Sequence, residues 1–73
     1  MPSRTYTVIM KNPEMPQGKV LESGLTYSIA TNQLSTWYNI WRTKGFALTR
    51  THNRVRAEKN EEVKEIWFLQ DGK

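Results

Sequence analysis

The pattern of hydrophobic and polar positions predicts two strands in the first part of the chain. The segment TYTVIM is rich in β-branched and aromatic side chains, which is typical of a strand, here over about 4–10. The segment LTYSIA alternates large apolar with small polar residues, and this period of two predicts a half-buried strand over about 24–30. The residues expected to face the core from this second strand are Leu25, Tyr27 and Ile29.

Between these two segments the chain carries residues that interrupt regular structure. Pro13, Pro16 and Gly18 predict a surface loop over 11–18. The residues KVLE, at 19–22, have the composition of a short strand that would follow the loop.

The period of the pattern changes after Ala30 to the spacing of a helix. Apolar residues now recur at i, i+3, i+4 and i+7, which predicts one buried face of an α-helix over about 32–44. Thr31 or Asn32 is expected to cap its first turn by accepting a backbone N–H. Gly45 is expected at the left-handed position after the last turn. The predicted face consists of Leu34, Trp37, Tyr38 and Trp41.

Residues 46–70 contain two further strand-like runs, separated by a polar and charged stretch without proline. The simplest interpretation is a long β-hairpin that protrudes from the core, with its tip near 58–61. Cross-strand pairs of opposite charge would stabilise such a polar ribbon. The neighbours expected in this register are Arg54 with Glu65 and Arg56 with Val63.

These elements together predict an α+β fold. We expect a small antiparallel β-sheet packed on one α-helix, with a protruding C-terminal β-hairpin, in a single domain over 1–73. A chain of 73 residues buries a modest share of its surface, and its hydrophobic fraction of 37% is low. The large aromatic rings must therefore supply much of the core. This places Trp37 and Trp41 inside, with Tyr38 at the border of the helix face and closer to the surface.

Charge is distributed unevenly along the chain, whose net charge is +4. No Asp, Glu, Lys or Arg occurs between Ser23 and Trp41, and a basic arm over 42–59 follows in which Glu58 is the only acid. Such an arm suits contact with a polyanion or with an acidic protein surface. Its cations are Arg42, Lys44, Arg50, Arg54, Arg56 and Lys59.

Three arginines of this arm form the main candidate site. Arg50, Arg54 and Arg56 are four and two residues apart, which on one strand would place them on the same face as His52. A row of guanidinium groups binds phosphates or carboxylates in bidentate fashion. The alternative is a solvated strand edge whose charges prevent aggregation.

Further contacts are expected from the rest of the basic arm, from the N-terminal strand and from an exposed helix residue. The N-terminal strand either forms an edge that pairs with a strand of the partner or, as is more common, completes the sheet. Trp and Tyr are common anchors in protein interfaces. The partner-binding residues predicted from the sequence are Arg50, Arg54, Arg56, Arg42, Lys44, Arg4, Tyr6 and Tyr38.

The sequence contains few residues of the types that catalysis or metal binding requires. His52 is the only histidine and cysteine is absent, so neither a disulfide nor a structural zinc site of the usual kind can form. Glycine-rich phosphate-binding patterns do not occur in the sequence. The acidic group Glu61, Glu62 and Glu65 is typical of a solvated surface. We therefore predict a protein without enzymatic activity, bound metal or cofactor.

The sequence also predicts a soluble, cytoplasmic monomer without a membrane partner. Its first apolar segment is too short and too polar for a secretory signal. The uncharged stretch 23–41 has nearly the length of a membrane span, but it contains too many Ser, Thr, Asn and Gln residues for hydrocarbon.

Two resemblances bear on function. Residues 31–69, a helix followed by Gly45 and a basic ribbon, resemble the recognition helix and wing of winged-helix DNA-binding domains. The likeness departs from that class before the helix, where the sequence alternates like a strand and predicts no preceding helices.

As a whole, the chain resembles the Xp-type inhibitors and antiterminators with which lytic bacteriophages redirect host transcription, in its size, lack of cysteine, basic charge and mixed α/β make-up. The resemblance implies a protein that binds host RNA polymerase near the β′ amino-terminal region and the β flap, in the host cytoplasm. It would displace σ factor, inhibit initiation and allow read-through of intrinsic terminators. The alternative is a small basic DNA- or RNA-binding module that uses the arginine-rich hairpin on phosphates.

Overall fold

A computed structural model describes residues 4–71, so residues 1–3 and 72–73 of the predicted domain lie outside this account. Within that range, five strands form one antiparallel sheet in the order β2-β1-β5-β4-β3, and a single helix packs on it. The predicted α+β class is confirmed. The elements are β1 (Tyr6–Asn12), β2 (Met15–Leu25), α1 (Tyr27–Thr43), β3 (Ala47–Arg50), β4 (Arg54–Lys59) and β5 (Glu62–Gln70).

The core lies between the helix and one face of the sheet, which we call the helix face. Alternate residues of the three inner strands are buried there because successive side chains of a strand point to opposite faces. The helix contributes Trp41, which is 1% exposed, while Trp37 is half-buried beside it at 5.6 Å between ring centres. The buried residues are Val8, Met10, Leu25, Ala30, Leu34, Trp41, Val55, Ala57, Ile66 and Phe68.

The helix begins earlier than predicted, and the strand expected over 24–30 is wrong. Thr26 is the N-cap, and its side-chain hydroxyl accepts a hydrogen bond from the backbone N–H of Ile29. Leu25 ends β2 and is buried as predicted. Tyr27 and Ile29, however, lie in the first helical turn and are 51% and 47% exposed. The apolar–polar alternation of this segment therefore does not mark a strand. It combines one buried strand residue, Leu25, with two exposed helix residues, Tyr27 and Ile29.

The C-terminal end of the helix matches the prediction. The backbone N–H groups of Lys44 and Gly45 donate to the carbonyls of Trp41 and Arg42. Gly45 has a φ of +86°, the left-handed conformation that a residue without Cβ adopts at least cost.

The loop predicted over 11–18 is instead the turn and first part of a β-hairpin. Asn12 shapes the turn, because its side-chain oxygen accepts hydrogen bonds from the N–H groups of Glu14 and Met15. Pro16 lies within β2, which is possible because β2 is an edge strand and needs no donor on its free side. The short strand expected over 19–22 is the middle of β2.

The C-terminal region forms three strands rather than one protruding hairpin. β4 and β5 are inner strands of the sheet. β5 pairs with β1 from Glu65 onward, so only the part of the hairpin at its turn, which includes residues 62–64 of β5, has no strand beside it on the β1 side. The turn is the two-residue pair Asn60-Glu61, within the predicted tip, with φ values of 50° and 68°. The turn is centred one residue later than the predicted tip, and this moves the register by two residues. Arg54 therefore lies opposite Trp67, Arg56 opposite Glu65, and Val63 opposite Glu58.

The N-terminal strand completes the sheet and is not an edge strand, which is the more common of the two alternatives. β1 pairs with β2 on one side and with β5 on the other. Asp71 fastens its start, because its carboxylate accepts hydrogen bonds from the hydroxyls of Thr5 and Thr7 and its backbone N–H donates to the carbonyl of Thr5. These hydroxyl donors hold the pKa of Asp71 below its ordinary value of 3.8, because they stabilise the charged form.

Candidate partner-binding surfaces

The three arginines of the predicted row do not share a face. Arg50 lies directly opposite Val55, which is buried under the helix, and opposed residues of an antiparallel pair point to the same side. Its guanidinium carbon lies 5.9 Å from the ring centre of Tyr38 on the helix. Arg54 and Arg56 alternate with buried Val55, so they point to the opposite side of the sheet. The prediction that all three line one face is wrong.

The side of the sheet away from the helix, which we call the open face, has no second layer within residues 4–71. At its centre Trp67 is half-buried, and the guanidinium carbon of Arg54 lies 5.1 Å from its ring centre. The same guanidinium group is 3.5 Å from the carboxylate of Glu65. Arg56 is paired with Glu58 at 3.7 Å. The open face thus presents an aromatic centre surrounded by charges of both signs.

Apolar residues extend this centre across the neighbouring strands. Ile9 lies opposite both Trp67 on β5 and Val20 on β2. A Cβ added at Gly18 would lie 3.4 Å from the Ile9 side chain and 3.8 Å from the Trp67 ring, so this glycine lets both side chains approach β2. Val20 and Leu69 are at least half-exposed. The apolar strip therefore runs from β5 across β1 to β2 on the open face.

An open cavity of about 310 Å³ lies between the β1–β2 turn and the tip of β4–β5. Prolines and a valine provide its apolar walls, and a lysine and two glutamates provide its rim. It is lined by Lys11, Asn12, Pro13, Pro16, Glu61, Val63 and Glu65.

The remaining predicted contact residues are scattered. Tyr6 is half-buried on the helix face, where it packs edge-on against Tyr27 and Phe68 with 5.5 Å between ring centres in each case. Arg4 is exposed just before β1. Arg42 and Lys44 are exposed at the end of the helix, away from the open face. The structure therefore brings the predicted residues together in two separate pairs, Arg54 with Arg56 on the open face and Arg50 with Tyr38 on the helix side.

Three residues that matter to these surfaces were not assigned to a site from the sequence. Trp67 lies in the second of the strand-like runs predicted over 46–70 and is absent from the predicted contact residues. Lys59 and Lys64 lie on the helix side of the tip, where both approach the ring of Phe46. The position of Trp67 can be read from the period-two pattern of the strand. Because Ile66 and Phe68 on either side of it are buried under the helix, Trp67 points to the face of the sheet away from the helix.

Groups suited to metal binding or catalysis are sparse in the described part of the chain. Among residues 4–71, no cluster of three His, Cys, Asp or Glu side chains could hold a metal ion. His52 is exposed in the turn between β3 and β4. The helix of this range is not long and apolar enough to cross a membrane.

Comparison with protein-family models, with curated proteins and with solved structures finds no match for this chain.

Proposed function

We propose that this protein is a transcription regulator without catalytic activity that binds bacterial RNA polymerase. On this proposal it inhibits initiation and allows read-through of terminators, and it acts as a monomer in the host cytoplasm. The proposal is supported by the whole-chain resemblance to phage transcription regulators and by one structural observation, the open face centred on Trp67 and Arg54.

The size of the open face fits a protein partner. The molecule measures 46 × 22 × 15 Å, so the outline of its broad side is about 1,000 Å², of the same order as the roughly 800 Å² of accessible surface that each partner buries in a standard protein interface. Trp and Arg are the residues most often found at the energetic centre of such interfaces. Here they lie in contact, surrounded by apolar and paired charged groups.

Charge on this face favours a protein over a phosphate backbone. Arg54 and Arg56 each have a carboxylate within 4 Å, from Glu65 and Glu58, so their positive charges are partly compensated. Phosphate binding depends on uncompensated cations that displace counterions. The guanidinium group over Trp67 also occupies a position in which a nucleic-acid base would stack. The alternative, arginines on phosphates, therefore has less support on this surface.

Purified bacterial RNA polymerase provides the test. We expect the protein to co-elute with the polymerase in size-exclusion chromatography at moderate salt, because apolar contacts persist when exposed charges are screened. In transcription assays it should reduce promoter-dependent initiation and increase read-through of an intrinsic terminator. Absence of co-elution, together with unchanged transcription, would refute the proposal.

A further inference from the structure

A second surface lies on the helix side of the sheet, where the end of α1 meets the tip of β4–β5. An open cavity of about 580 Å³ is found here. We call it the lysine pocket. It is lined by Lys44, Phe46, Lys59, Asn60, Glu62 and Lys64.

The cations of the lysine pocket are held in place before any ligand arrives. The ammonium group of Lys59 donates a hydrogen bond of 2.7 Å to the backbone carbonyl of Lys44. The same ammonium lies 5.7 Å from the ring centre of Phe46, and that of Lys64 lies 5.3 Å from it. Both distances are within the range of cation–π attraction. Since these contacts already restrict two flexible side chains, a ligand that binds both pays less conformational entropy.

The positive charge of the pocket is not neutralised as it is on the open face. Three lysines face one carboxylate, that of Glu62, and within residues 4–71 the ion pairs are those of Arg54 and Arg56 only. Lys59 and Lys64 both have their ammonium groups within 6 Å of the centre of the Phe46 ring, so their like charges repel across the pocket. An anion bound by both groups would relieve this repulsion, which gives the pocket an electrostatic preference for anions.

We infer that the lysine pocket binds a phosphate group. Ammonium groups are compact donors that suit a tetrahedral oxyanion, and Lys59 has two N–H donors left after its bond to Lys44. The side-chain amide of Asn60 provides a further donor at the rim. The pocket is open enough to admit free phosphate or a phosphate of a single-stranded nucleic acid. It lies on the side of the sheet opposite to the proposed polymerase-binding surface and does not depend on that proposal.

The test is a nuclear magnetic resonance titration of the ¹⁵N-labelled full chain with inorganic phosphate, at constant ionic strength set by chloride. We expect saturable shifts of the amide signals of Gly45 and Asn60, which flank the pocket. A parallel titration uses a 12-nucleotide oligouridine.

Charge-matched variants separate a site from general attraction. Lys64→Gln should weaken phosphate binding about fivefold, the factor that corresponds to the ~1 kcal/mol between unit charges 4 Å apart in water. Lys19→Gln is the control, because it changes the net charge equally but lies on the far edge strand β2. Glu62→Gln should have the opposite effect and strengthen binding, since it removes the carboxylate of the pocket. Amide spectra of each variant report whether it is folded.

The outcomes distinguish the two sources of phosphate. Two results together would identify a nucleic-acid strand as the natural ligand. Oligouridine should bind through the pocket much more tightly than inorganic phosphate, and the slope of its log affinity against log salt should become less steep by about 0.7 for each lysine removed. Equal affinities identify free phosphate or a small phosphate ester. The inference is overturned if neither probe gives saturable shifts, or if Lys64→Gln and Lys19→Gln weaken binding equally.

Discussion

Arg54 lies against Trp67, with its guanidinium carbon 5.1 Å from the centre of the ring, on the face of the sheet that the helix leaves uncovered. The two residues are direct cross-strand partners between β4 and β5. Glu65 holds the other side of the guanidinium group at 3.5 Å. The contact places an aromatic ring, a cation and an anion at the centre of the open face, where a partner would meet all three.

The Arg54 contacts should contribute little to folding. The ion pair with Glu65 is exposed on the arginine side, and such pairs contribute about 0–1 kcal/mol. An exposed cation–π contact adds roughly 0.5–1 kcal/mol. We expect Arg54→Ala to lower the free energy of unfolding in urea by about 1 kcal/mol and to leave the fold intact. A loss above about 3 kcal/mol would show that Arg54 is structural, and binding data from that variant would then be uninterpretable.

The two tryptophans of the helix should differ in their importance for stability. Trp41 is 1% exposed, and its replacement by Ala should cost about 3–5 kcal/mol, enough to unfold most of a domain this small. Trp37 is only half-buried, so Trp37→Ala should cost clearly less and retain cooperative unfolding. Far-ultraviolet circular dichroism with urea titration checks both. Equal losses for the two variants would contradict the packing described here.

Asp71 should make stability depend on pH in acid. Its folded-state pKa lies below the ordinary value of 3.8, because Thr5 and Thr7 donate to the carboxylate. Such a group stabilises the fold fully at pH values above its unfolded pKa, and this contribution is lost as pH falls through the folded pKa. Asp71→Asn should therefore lower the melting temperature at pH 7, and its difference from wild type should shrink as the pH falls below about 4 into the acidic range. A difference that stays constant across this range would refute the role of the carboxylate.

The turn of the β4–β5 hairpin contains a residue whose replacement should increase the stability of the fold. Glu61 has a φ of 68°, a left-handed conformation that costs a residue with a Cβ roughly 1–2 kcal/mol, whereas Asn-Gly is the preferred pair in such turns. Glu61→Gly should raise the free energy of unfolding by about 0.5–1 kcal/mol, since the greater freedom of the unfolded chain offsets part of the gain.

Gly45 provides the matched control for that turn. It also has a positive φ, of +86°, while a Cβ there would meet only ordinary contacts, the nearest being the ammonium group of Lys59 at 3.5 Å. Because a residue with a Cβ is strained in this backbone conformation, Gly45→Ala should destabilise the protein by about 1 kcal/mol. Changes of the same sign in both variants would contradict the assigned turn conformations.

The sequence predicted the fold class and the second half of the helix because those signals come from burial. Leu34 and Trp41 are buried at helical spacing, and Gly45 ends the helix where its conformation requires. The start of the helix could not be read in the same way. Tyr27 and Ile29 are large apolar residues at exposed positions, so their spacing carried no information about the core.

Pro16 misled the prediction for a different reason. Pro13 lies in the turn between β1 and β2, as the predicted loop requires, but Pro16 lies within β2, because a strand at the edge of a sheet tolerates a missing donor. Whether a segment lies at an edge depends on the order of strands in the sheet. That order brings β1 between β2 and β5, which are distant in sequence, and no local pattern specifies it.

Of the three arginines predicted to share one face, two do so. The rule that even spacing shares a face holds within one strand, and it correctly groups Arg54 with Arg56. It fails for Arg50 because the turn at residues 51–53 starts a new strand, and Arg50 then pairs with inward-facing Val55. The length of the turn between β3 and β4 determines the face of the sheet on which Arg50 lies. No pattern in the sequence indicated where this turn begins and ends.

The most direct test of the proposed function compares Arg54→Ala with Arg50→Ala in binding to purified bacterial RNA polymerase, measured by biolayer interferometry at 150 mM salt. Both changes remove one arginine from neighbouring strands and alter the net charge equally, but only Arg54 lies on the open face. The proposal predicts that Arg54→Ala weakens binding at least about tenfold, whereas Arg50→Ala stays within about twofold of wild type. Equal losses in the two variants, or unchanged binding by Arg54→Ala, would contradict it.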